Sequence, residues 1–298
     1  MKDIKKKILL LYRSLCNILR RESIAVNVFY SEDAKGNIKH KNWGDDLNLY
    51  LIRLISGKNV YAANKSILHN KFKLKNYSCI GSILGMFENE RTEVWGAGFI
   101  SEHTSLLRKP FKIHSVRGKL TRKKLLALGV ECPENYGDPA LLISKYYNAK
   151  PCGRYRLGII PHYVDLSNSL LKKIIDEHDD IILIDVAHYN KWTDICDKVV
   201  SCDYIISSSL HGLIISDSYG IPNRWIQFSD KIYGGNFKYL DYFSAVERTE
   251  IDPIYLSSIV DFEELMLNIG ETKGLNMEKQ INMILETCPF IQKYKGVL

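Results

Sequence analysis

Short apolar runs that end in glycine-containing turns recur along most of the chain, with amphipathic stretches between them. The runs have the length and composition of buried strands, and the stretches between them show the three-to-four-residue spacing of helices. The predicted strands are 25–30, 77–80, 94–95, 112–116, 155–160, 181–186, 204–206 and 224–228. The predicted helices are 1–21, 42–55, 121–128, 140–144, 167–177, 191–200, 213–219 and most of 262–286. This alternation predicts an α/β fold with parallel sheets.

The strand and helix pattern restarts after a polar stretch, 145–154, which contains Pro151 and Gly153. We therefore expect three parts: an N-terminal helical segment (1–24) and two Rossmann-like domains (25–150 and 151–298) that face a central cleft. The helical tail of the second domain can return toward the first domain, and this is one arrangement that we consider.

Composition places the chain among ordinary globular proteins, with 298 residues, of which 46% are hydrophobic and 25% charged. None of the seven cysteines forms a Cys-x-x-Cys pair, so neither a zinc site nor a disulfide framework is expected. Their odd number suggests a reducing, cytosolic environment.

The positive charge is concentrated at the N-terminus, because residues 1–21 hold six of the seven excess charges. The nearly neutral remainder argues against a nucleic-acid partner. Apolar residues at helical spacing make this segment a basic amphipathic helix, too short to span a bilayer and interrupted by Arg13 where a signal peptide would be apolar. Two interpretations remain open: a helix packed on the protein, and a helix resting on an anionic membrane surface.

The segment 204–222 predicts a buried strand, a serine-rich turn and a helix. Ser208, Ser209, His211 and Gly212 lie at that turn, where the N–H groups and dipole of the helix favour an anion. We predict that these residues bind substrate and that His211 is catalytic. The alternative is a serine cap followed by a packed histidine.

Asn42, Asp45 and Asp46 open the predicted helix 42–55. Paired carboxylates can bind sugar hydroxyls or act as a base, although acidic residues in a first turn are also typical of simple capping. Gly81 and Ser82 follow a predicted strand, where a glycine turn permits close approach of a ligand or is merely a tight turn.

Three further candidates end predicted strands or begin helices. Arg117 ends a strand, where a guanidinium suits a phosphate or carboxylate, or alternatively a surface ion pair. Asp138 precedes Pro139 at a helix start, where capping is the competing role. His162 follows the first strand of the second half and would face the cleft, unless it is structural.

Six short motifs in this order resemble the polysaccharide pyruvyl transferase family between residues 42 and 228. They are Trp43-Gly44-Asp45-Asp46, Val116-Arg117-Gly118-x-x-Thr121, Leu128-Gly129, Gly137-Asp138-Pro139-Ala140, Pro161-His162 and Ser208-Ser209-Leu210-His211-Gly212. The resemblance implies a fold similar to GT-B glycosyltransferases. It also implies transfer of a pyruvyl group from phosphoenolpyruvate to two hydroxyls of one sugar, which forms a cyclic ketal.

The resemblance also implies roles for the candidate residues. The family's donor-binding arginine falls on Arg117, and its Arg-Leu-His histidine falls on His211, a donor phosphate contact and general acid. His162 is then a second proton carrier or anion contact, and Asp45, Asp46 and Asp138 orient or deprotonate the acceptor. No metal or cofactor is expected beyond the donor substrate itself.

The chain departs from the family at Ser209, where many members have arginine. Either Lys119, Arg122 or another basic group substitutes, or donor binding relies more on the N-terminus of the helix. Because glycan acceptors in bacteria are often lipid-linked, the basic helix suggests a cytoplasmic enzyme peripheral at the inner face of the membrane. The alternatives are a GT-B glycosyltransferase that uses a nucleotide sugar and a non-catalytic glycan-binding protein of the same fold.

Overall fold

Two five-stranded parallel sheets form the centre of the molecule. The computed structural model describes residues 2–20, 22–29, 31–32, 38–39 and 42–291, with side chains for 7–20, 22–29 and 42–291. The first sheet has the order β4-β1-β5-β6-β7 and the second β12-β11-β10-β8-β9. The strands of the first are β1 (Ile24–Val26), β4 (Val60–Ala62), β5 (Asn76–Ser78), β6 (Thr92–Trp95) and β7 (Lys112–Ser115). Those of the second are β8 (Tyr155–Ile160), β9 (Ile181–Leu183), β10 (Cys202–Ser207), β11 (Asn223–Gln227) and β12 (Ile254–Tyr255).

Helices flank both sheets, and β2 (Ser31–Glu32) pairs with β3 (Ile38–Lys39) as a separate antiparallel ribbon. The helices of the first half are α1 (Lys2–Leu19), α2 (Trp43–Ser56), α3 (Ile67–Lys71), α4 (Lys119–Ala127) and α5 (Ile143–Tyr146). Those of the second are α6 (Ser169–Glu177), α7 (Trp192–Val199), α8 (Leu210–Ser218), α9 (Phe237–Val246), α10 (Ile259–Asn268) and α11 (Glu278–Glu286). The predicted α/β class with two parallel sheets is confirmed.

The elements differ from the prediction in several places. β4, α3, α9 and β12 were not predicted, and the tail contains two helices, α10 and α11, instead of one mostly continuous helical stretch. The break between them contains Gly270 and Gly274, which lower helix propensity. The predicted helix 140–144 begins as a 3-10 turn, Pro139–Leu142, before α5.

The two halves share a continuous hydrophobic core. The backbone N–H and the indole Nε1 of Trp43 in the first half donate to carbonyls of Val186 and Trp192 in the second, at 2.9 and 2.7 Å. The indole of Trp95 donates to the carbonyl of Ile284 on α11 at 3.1 Å, so the tail packs against the first half. These contacts fix the strand ends of one sheet relative to those of the other.

Helix α1 packs on the first half by one face and leaves apolar side chains exposed on another. Ser14 is buried against α3, where its hydroxyl accepts from the N–H of Ile67 at 3.0 Å. Of the predicted segment 1–21, Met1 and Arg21 lie outside the described residues. None of the helices in the described ranges is both long and apolar enough to cross a membrane. The exposed apolar side chains of α1 include Ile8, Leu9, Leu11, Tyr12, Leu15 and Leu19.

Candidate functional site

A cavity of about 410 Å³ is lined by segments that follow strands of both sheets. Its walls come from residues after β1, β5 and β6 in the first half and after β8, β10 and β11 in the second. This is where ligands bind in open α/β folds, and the volume suits a small molecule. Six residues predicted from the sequence line it: Asn42, Asp45, Ser82, His162, Ser209 and His211.

His211 lies in the first turn of α8, directly after the carboxyl end of β10. Its ring packs on the backbone of α2, since a methyl group at Gly44 would lie 1.9 Å from Nδ1. Burial, assisted by the positive charges of Arg117 and Lys238, lowers the pKa of His211 to about 3. Its buried Nε2 has no hydrogen-bond partner among the described residues, which leaves it available to a ligand.

Ser209 is the residue at the N-cap of α8, but its side chain makes no capping hydrogen bond. The hydroxyl of Ser207 instead organises the turn, accepting from the N–H of Ser209 at 3.0 Å and lying 2.8 Å from the carbonyl of Ile160. Gly212 packs tightly against this hydroxyl, because a methyl group there would lie 2.3 Å from it. Gly212 therefore permits close packing of helix and strand and does not line the cavity.

His162 follows β8 and faces the same cavity. Its backbone N–H donates to the hydroxyl of Ser208 at 2.8 Å, so Ser208 lies behind the wall and supports it. Burial and the charge of Lys238 lower the pKa of His162 to about 3. Both cavity histidines are consequently neutral near pH 7 in the free protein.

The two adjacent carboxylates of α2 face different surroundings. Asp45 lines the cavity, and its burial together with the charge of Asp46 raises its pKa well above the usual range. Asp46 accepts from the hydroxyl of Tyr189 at 2.5 Å and does not line the cavity. Asn42 lines the cavity without capping α2 through its side chain.

Gly81 brings the first sheet close to Asp45. Its φ of +102° is one that glycine adopts readily, and a methyl group there would lie 2.9 Å from Oδ1 of Asp45. Asn48, which the sequence did not indicate, holds this arrangement. Its side-chain amide donates to the carbonyl of Ile80 at 2.9 Å and accepts from the N–H of Ile80 at 3.0 Å.

Arg117 is fully buried behind the cavity wall. Its guanidinium donates to Asp241 at 2.9 Å and to the carbonyl of Phe99 and the hydroxyl of Ser82 at 2.6 Å each. Ser82 lines the cavity, so the charge of Arg117 acts through this hydroxyl in the free protein. Direct contact between Arg117 and a donor anion stays a prediction.

Asp138 caps the 3-10 turn that follows it, accepting from the N–H of Ala140 at 2.9 Å. Its other oxygen is buried and has no hydrogen-bond partner among the described residues. Burial raises the pKa of Asp138 to about 6, partly offset by that N–H and by Arg117. The carboxyl group does not line the cavity, and its proposed role toward an acceptor stays a prediction.

Helix α9 supplies residues of the site that the sequence did not indicate. Lys238 lines the cavity, the hydroxyl of Tyr239 donates to the carbonyl of Ser208 at 2.6 Å, and Asp241 pairs with Arg117. Neither Lys119 nor Arg122, the basic residues expected to compensate for Ser209, lines the cavity. A lysine and an aspartate within the aromatic segment 237–243 were the available signal for this helix.

Two curated proteins and one family model match this chain. No group of three His, Cys, Asp or Glu side chains that could hold a metal occurs in the part of the chain that is described. The uncharacterised protein L143 of Acanthamoeba polyphaga mimivirus is 30% identical over 221 residues, which are 72% of this chain and 74% of that protein. The succinoglycan biosynthesis protein ExoV of Rhizobium meliloti (strain 1021) is 24% identical over 214 residues, 68% of this chain and 61% of ExoV. Residues 9–230 match the model of the family described as polysaccharide pyruvyl transferase, to which this chain therefore belongs.

Proposed function

We propose that this protein transfers the pyruvyl group of phosphoenolpyruvate onto two hydroxyls of one sugar, forming a cyclic ketal and releasing phosphate. The observation that carries the proposal is the buried Nε2 of His211, unpaired within the described chain, in a cavity that it shares with His162 and Asp45. Membership of the family supports a pyruvyl transfer.

The donor carries a phosphate and a carboxylate on a small enol, and the proposed site offers several groups for these anions. One is the ring of His211. Another is the first turn of α8, whose backbone N–H groups receive no capping hydrogen bond from the side chain of Ser209. In the free protein, burial holds the pKa of His211 at about 3. A bound anion raises that pKa, so His211 takes up a proton as the donor arrives.

The chemistry then proceeds as addition followed by displacement. The oxygen of the first sugar hydroxyl bonds to C2 of the donor as its proton passes to Asp45, and His211 delivers a proton to C3. The bond between C2 and the phosphate oxygen breaks with its electron pair on phosphate. The second hydroxyl then bonds to C2 and closes the ketal, and its proton leaves with phosphate or through His162.

Asp45 suits the part of the base because its environment raises its affinity for a proton. Burial and the neighbouring Asp46 raise its pKa, while Lys238 favours its ionised form. A base with a raised pKa removes a proton from a sugar hydroxyl more effectively than an ordinary carboxylate does.

The test measures binding and turnover separately. Thermal unfolding of the wild type with phosphoenolpyruvate and with nucleotide sugars identifies the donor, because a ligand that binds the native state raises Tm. Phosphate release with candidate glycan acceptors measures turnover, and mass spectrometry of the acceptor detects the ketal. We expect stabilisation by phosphoenolpyruvate and a loss in turnover of about 10²- to 10⁴-fold in His211→Ala.

His188→Ala is the matched control, because His188 is exposed outside the cavity and pairs with Asp185. We expect it to behave as the wild type. Turnover in His211→Ala within about threefold of the wild type would remove the general-acid assignment. Stabilisation only by a nucleotide sugar would replace pyruvyl transfer with glycosyl transfer.

The finer proposal is that the acceptor is lipid-linked and that α1 rests on the anionic inner face of the cell membrane. Exposed Leu11 and Leu15 belong to the apolar surface of α1, and among the described residues the adjoining groove is lined by four basic side chains and no acidic ones. The four basic residues are Arg13, Arg20, Arg53 and Lys65. Apolar side chains beside positive charge favour binding to anionic lipid.

Vesicle sedimentation tests this placement. We expect binding to anionic vesicles that falls with salt, and its loss in Leu11→Gln/Leu15→Gln, which keeps the buried contact of Ser14 with α3. Leu267→Gln is the control, since Leu267 is 86% exposed on α10. Unchanged vesicle binding after deletion of residues 1–21 would remove α1 from the proposal and leave the transfer reaction untouched.

A further inference from the structure

Lys238 is a buried lysine whose side chain lines the candidate cavity. Only 7% of the residue is exposed, and it lies in the first turn of α9 among apolar and aromatic neighbours. Its ammonium lies 5.2 Å from the ring centroid of Tyr239 and interacts electrostatically with Asp45. It makes no hydrogen bond or ion pair to any group in the described parts of the chain. Such burial of an ammonium costs free energy unless a partner arrives.

The charges around the cavity make Lys238 distinctive. Apart from the two histidines, Asp45 and Lys238 are the only acidic or basic residues among the described residues that line the cavity. His162 and His211 are neutral there because burial lowers the pKa of each to about 3. Arg117 lies behind Ser82 and is paired with Asp241.

The pKa of Lys238 lies close enough to neutral pH that the ammonium is charged at pH 7 and loses its proton in a mildly alkaline solution. Burial, followed by the repulsion of Arg117, lowers its pKa to about 8, and Asp45 partly offsets this. The ammonium is therefore mostly protonated at pH 7. An anion in the cavity would raise that pKa again.

Helix α9, which carries this lysine, is anchored by hydrogen bonds to both halves of the molecule. The residue after it, Tyr239, donates to the carbonyl of Ser208 in the second half. Asp241, one turn further, accepts from Arg117 and from both the N–H and the hydroxyl of Thr121 in the first half, the latter two at 2.7 Å. A side chain on so well anchored a helix needs little reorganisation to bind a ligand.

We propose that Lys238 is a further anion-binding residue of this cavity, contacting a phosphate or carboxylate oxygen of the bound substrate. The identity of that substrate as phosphoenolpyruvate rests on the proposed function, whereas the requirement for an anion follows from the cavity itself. The same ammonium supplies the fixed positive charge that Ser209 does not.

Calorimetric titration tests the proposal with three probes: phosphoenolpyruvate, inorganic phosphate and pyruvate. Lys238→Met removes the charge and keeps the length of the side chain, and removing a charge-assisted hydrogen bond should weaken phosphoenolpyruvate binding about 10- to 100-fold. The probe whose affinity falls in parallel identifies the anionic group that Lys238 contacts. Lys173→Met, at an exposed position of α6, is the matched control and should bind as the wild type.

A pH series separates anion binding from a structural role. In the wild type the affinity for phosphoenolpyruvate should fall above pH 8, approaching tenfold per pH unit, as free Lys238 loses its proton. This added decline should be absent in Lys238→Met, whereas any decline caused by proton uptake at His211 is common to both proteins. The other groups around the ammonium are unchanged in that comparison: Asp45, Arg117, His162, Tyr163, His211, Tyr233 and Tyr239.

The outcomes distinguish this inference from the proposed function. If the wild type binds phosphoenolpyruvate and Lys238→Met binds it with an affinity within about threefold of the wild type, the role of Lys238 is overturned and pyruvyl transfer still stands. Wild-type binding of phosphate but not phosphoenolpyruvate removes the proposed donor, and the loss or retention of phosphate in Lys238→Met then decides the role of the lysine. A wild type that binds none of the three anions overturns it.

Discussion

At the scale of single residues, the cavity holds its histidines in the neutral form by burial. His162 and His211 are 8% and 7% exposed, and the pKa of each falls from 6.5 to about 3. An imidazole that is neutral before the donor binds can accept a proton when the anion enters. In the proposed reaction, the histidines of the free protein are therefore ready to accept a proton when the substrate binds.

The same shifts predict how stability depends on pH. Between pH 3 and 6.5 the unfolded chain binds more protons at these histidines than the native state does, so their contribution weakens as pH falls from 6.5. Asp138, whose pKa is raised from 3.8 to about 6, acts with the opposite sign between those values. His211→Asn should therefore lose less stability than the wild type between pH 6.5 and 5 in urea unfolding. His188→Ala should follow the wild type, and parallel curves for His211→Asn and the wild type would contradict the shift.

Gly44 gives a second prediction at this scale, because the ring of His211 occupies the space that a side chain there would need. A methyl group at Gly44 would lie 1.9 Å from Nδ1, so Gly44→Ala must displace the ring or the first turn of α2. We expect at least about tenfold weaker donor binding and about 1–3 kcal/mol of destabilisation. Gly270→Ala is the control, since a methyl group there meets Tyr204 at 3.9 Å. Donor affinity equal in both variants would place His211 outside the binding site.

At the scale of elements, the strand ends that build the site could be predicted, whereas the helix that completes it could not. The strands β8 and β10 are apolar runs that are each followed by polar residues. The sequence therefore placed His162 and His211 near the same edge of the sheet. Helix α9 buries Lys238 and Asp241 among aromatic residues, which breaks the alternation of buried apolar and exposed polar positions. The sequence also could not show which of the adjacent carboxylates lines the cavity, because Asp46 is held by Tyr189, which is far away in the chain.

The ion pair between α9 and the first half predicts strong coupling. Arg117 and Asp241 are both fully buried, so Arg117→Met or Asp241→Asn alone leaves a buried charge without its partner. Each should lower the free energy of unfolding by about 3–5 kcal/mol, and the double variant by clearly less than the sum. The exposed pair Lys279 and Glu247 provides the control cycle, in which the effects should add. Additive effects at the buried pair would show that α9 does not depend on this contact.

At the scale of the whole molecule, several separate contacts join the two halves that carry the sheets. Trp43 connects α2 to the second half, Asp241 connects α9 to the first, and α11 returns to the first sheet. A cavity wall built from both halves keeps its shape only if these contacts hold together. The architecture thus favours unfolding of the two halves as one unit over independent opening of each.

Helix α11 allows this cooperativity to be measured. Ile284 is fully buried, its carbonyl accepts from the indole of Trp95, and its side chain fills the space beside Gly137. Ile284→Ala should lower the free energy of unfolding by about 2–5 kcal/mol, because it leaves a cavity where the tail meets the first half. If the halves unfold together, tryptophan fluorescence and far-UV circular dichroism should still report coincident urea transitions, both shifted to lower urea. Leu267→Ala, at an exposed position of α10, should leave the midpoint unchanged. Two separated transitions in Ile284→Ala would instead show that α11 alone couples the halves, and donor binding would then be lost at the first of them, since the cavity needs both.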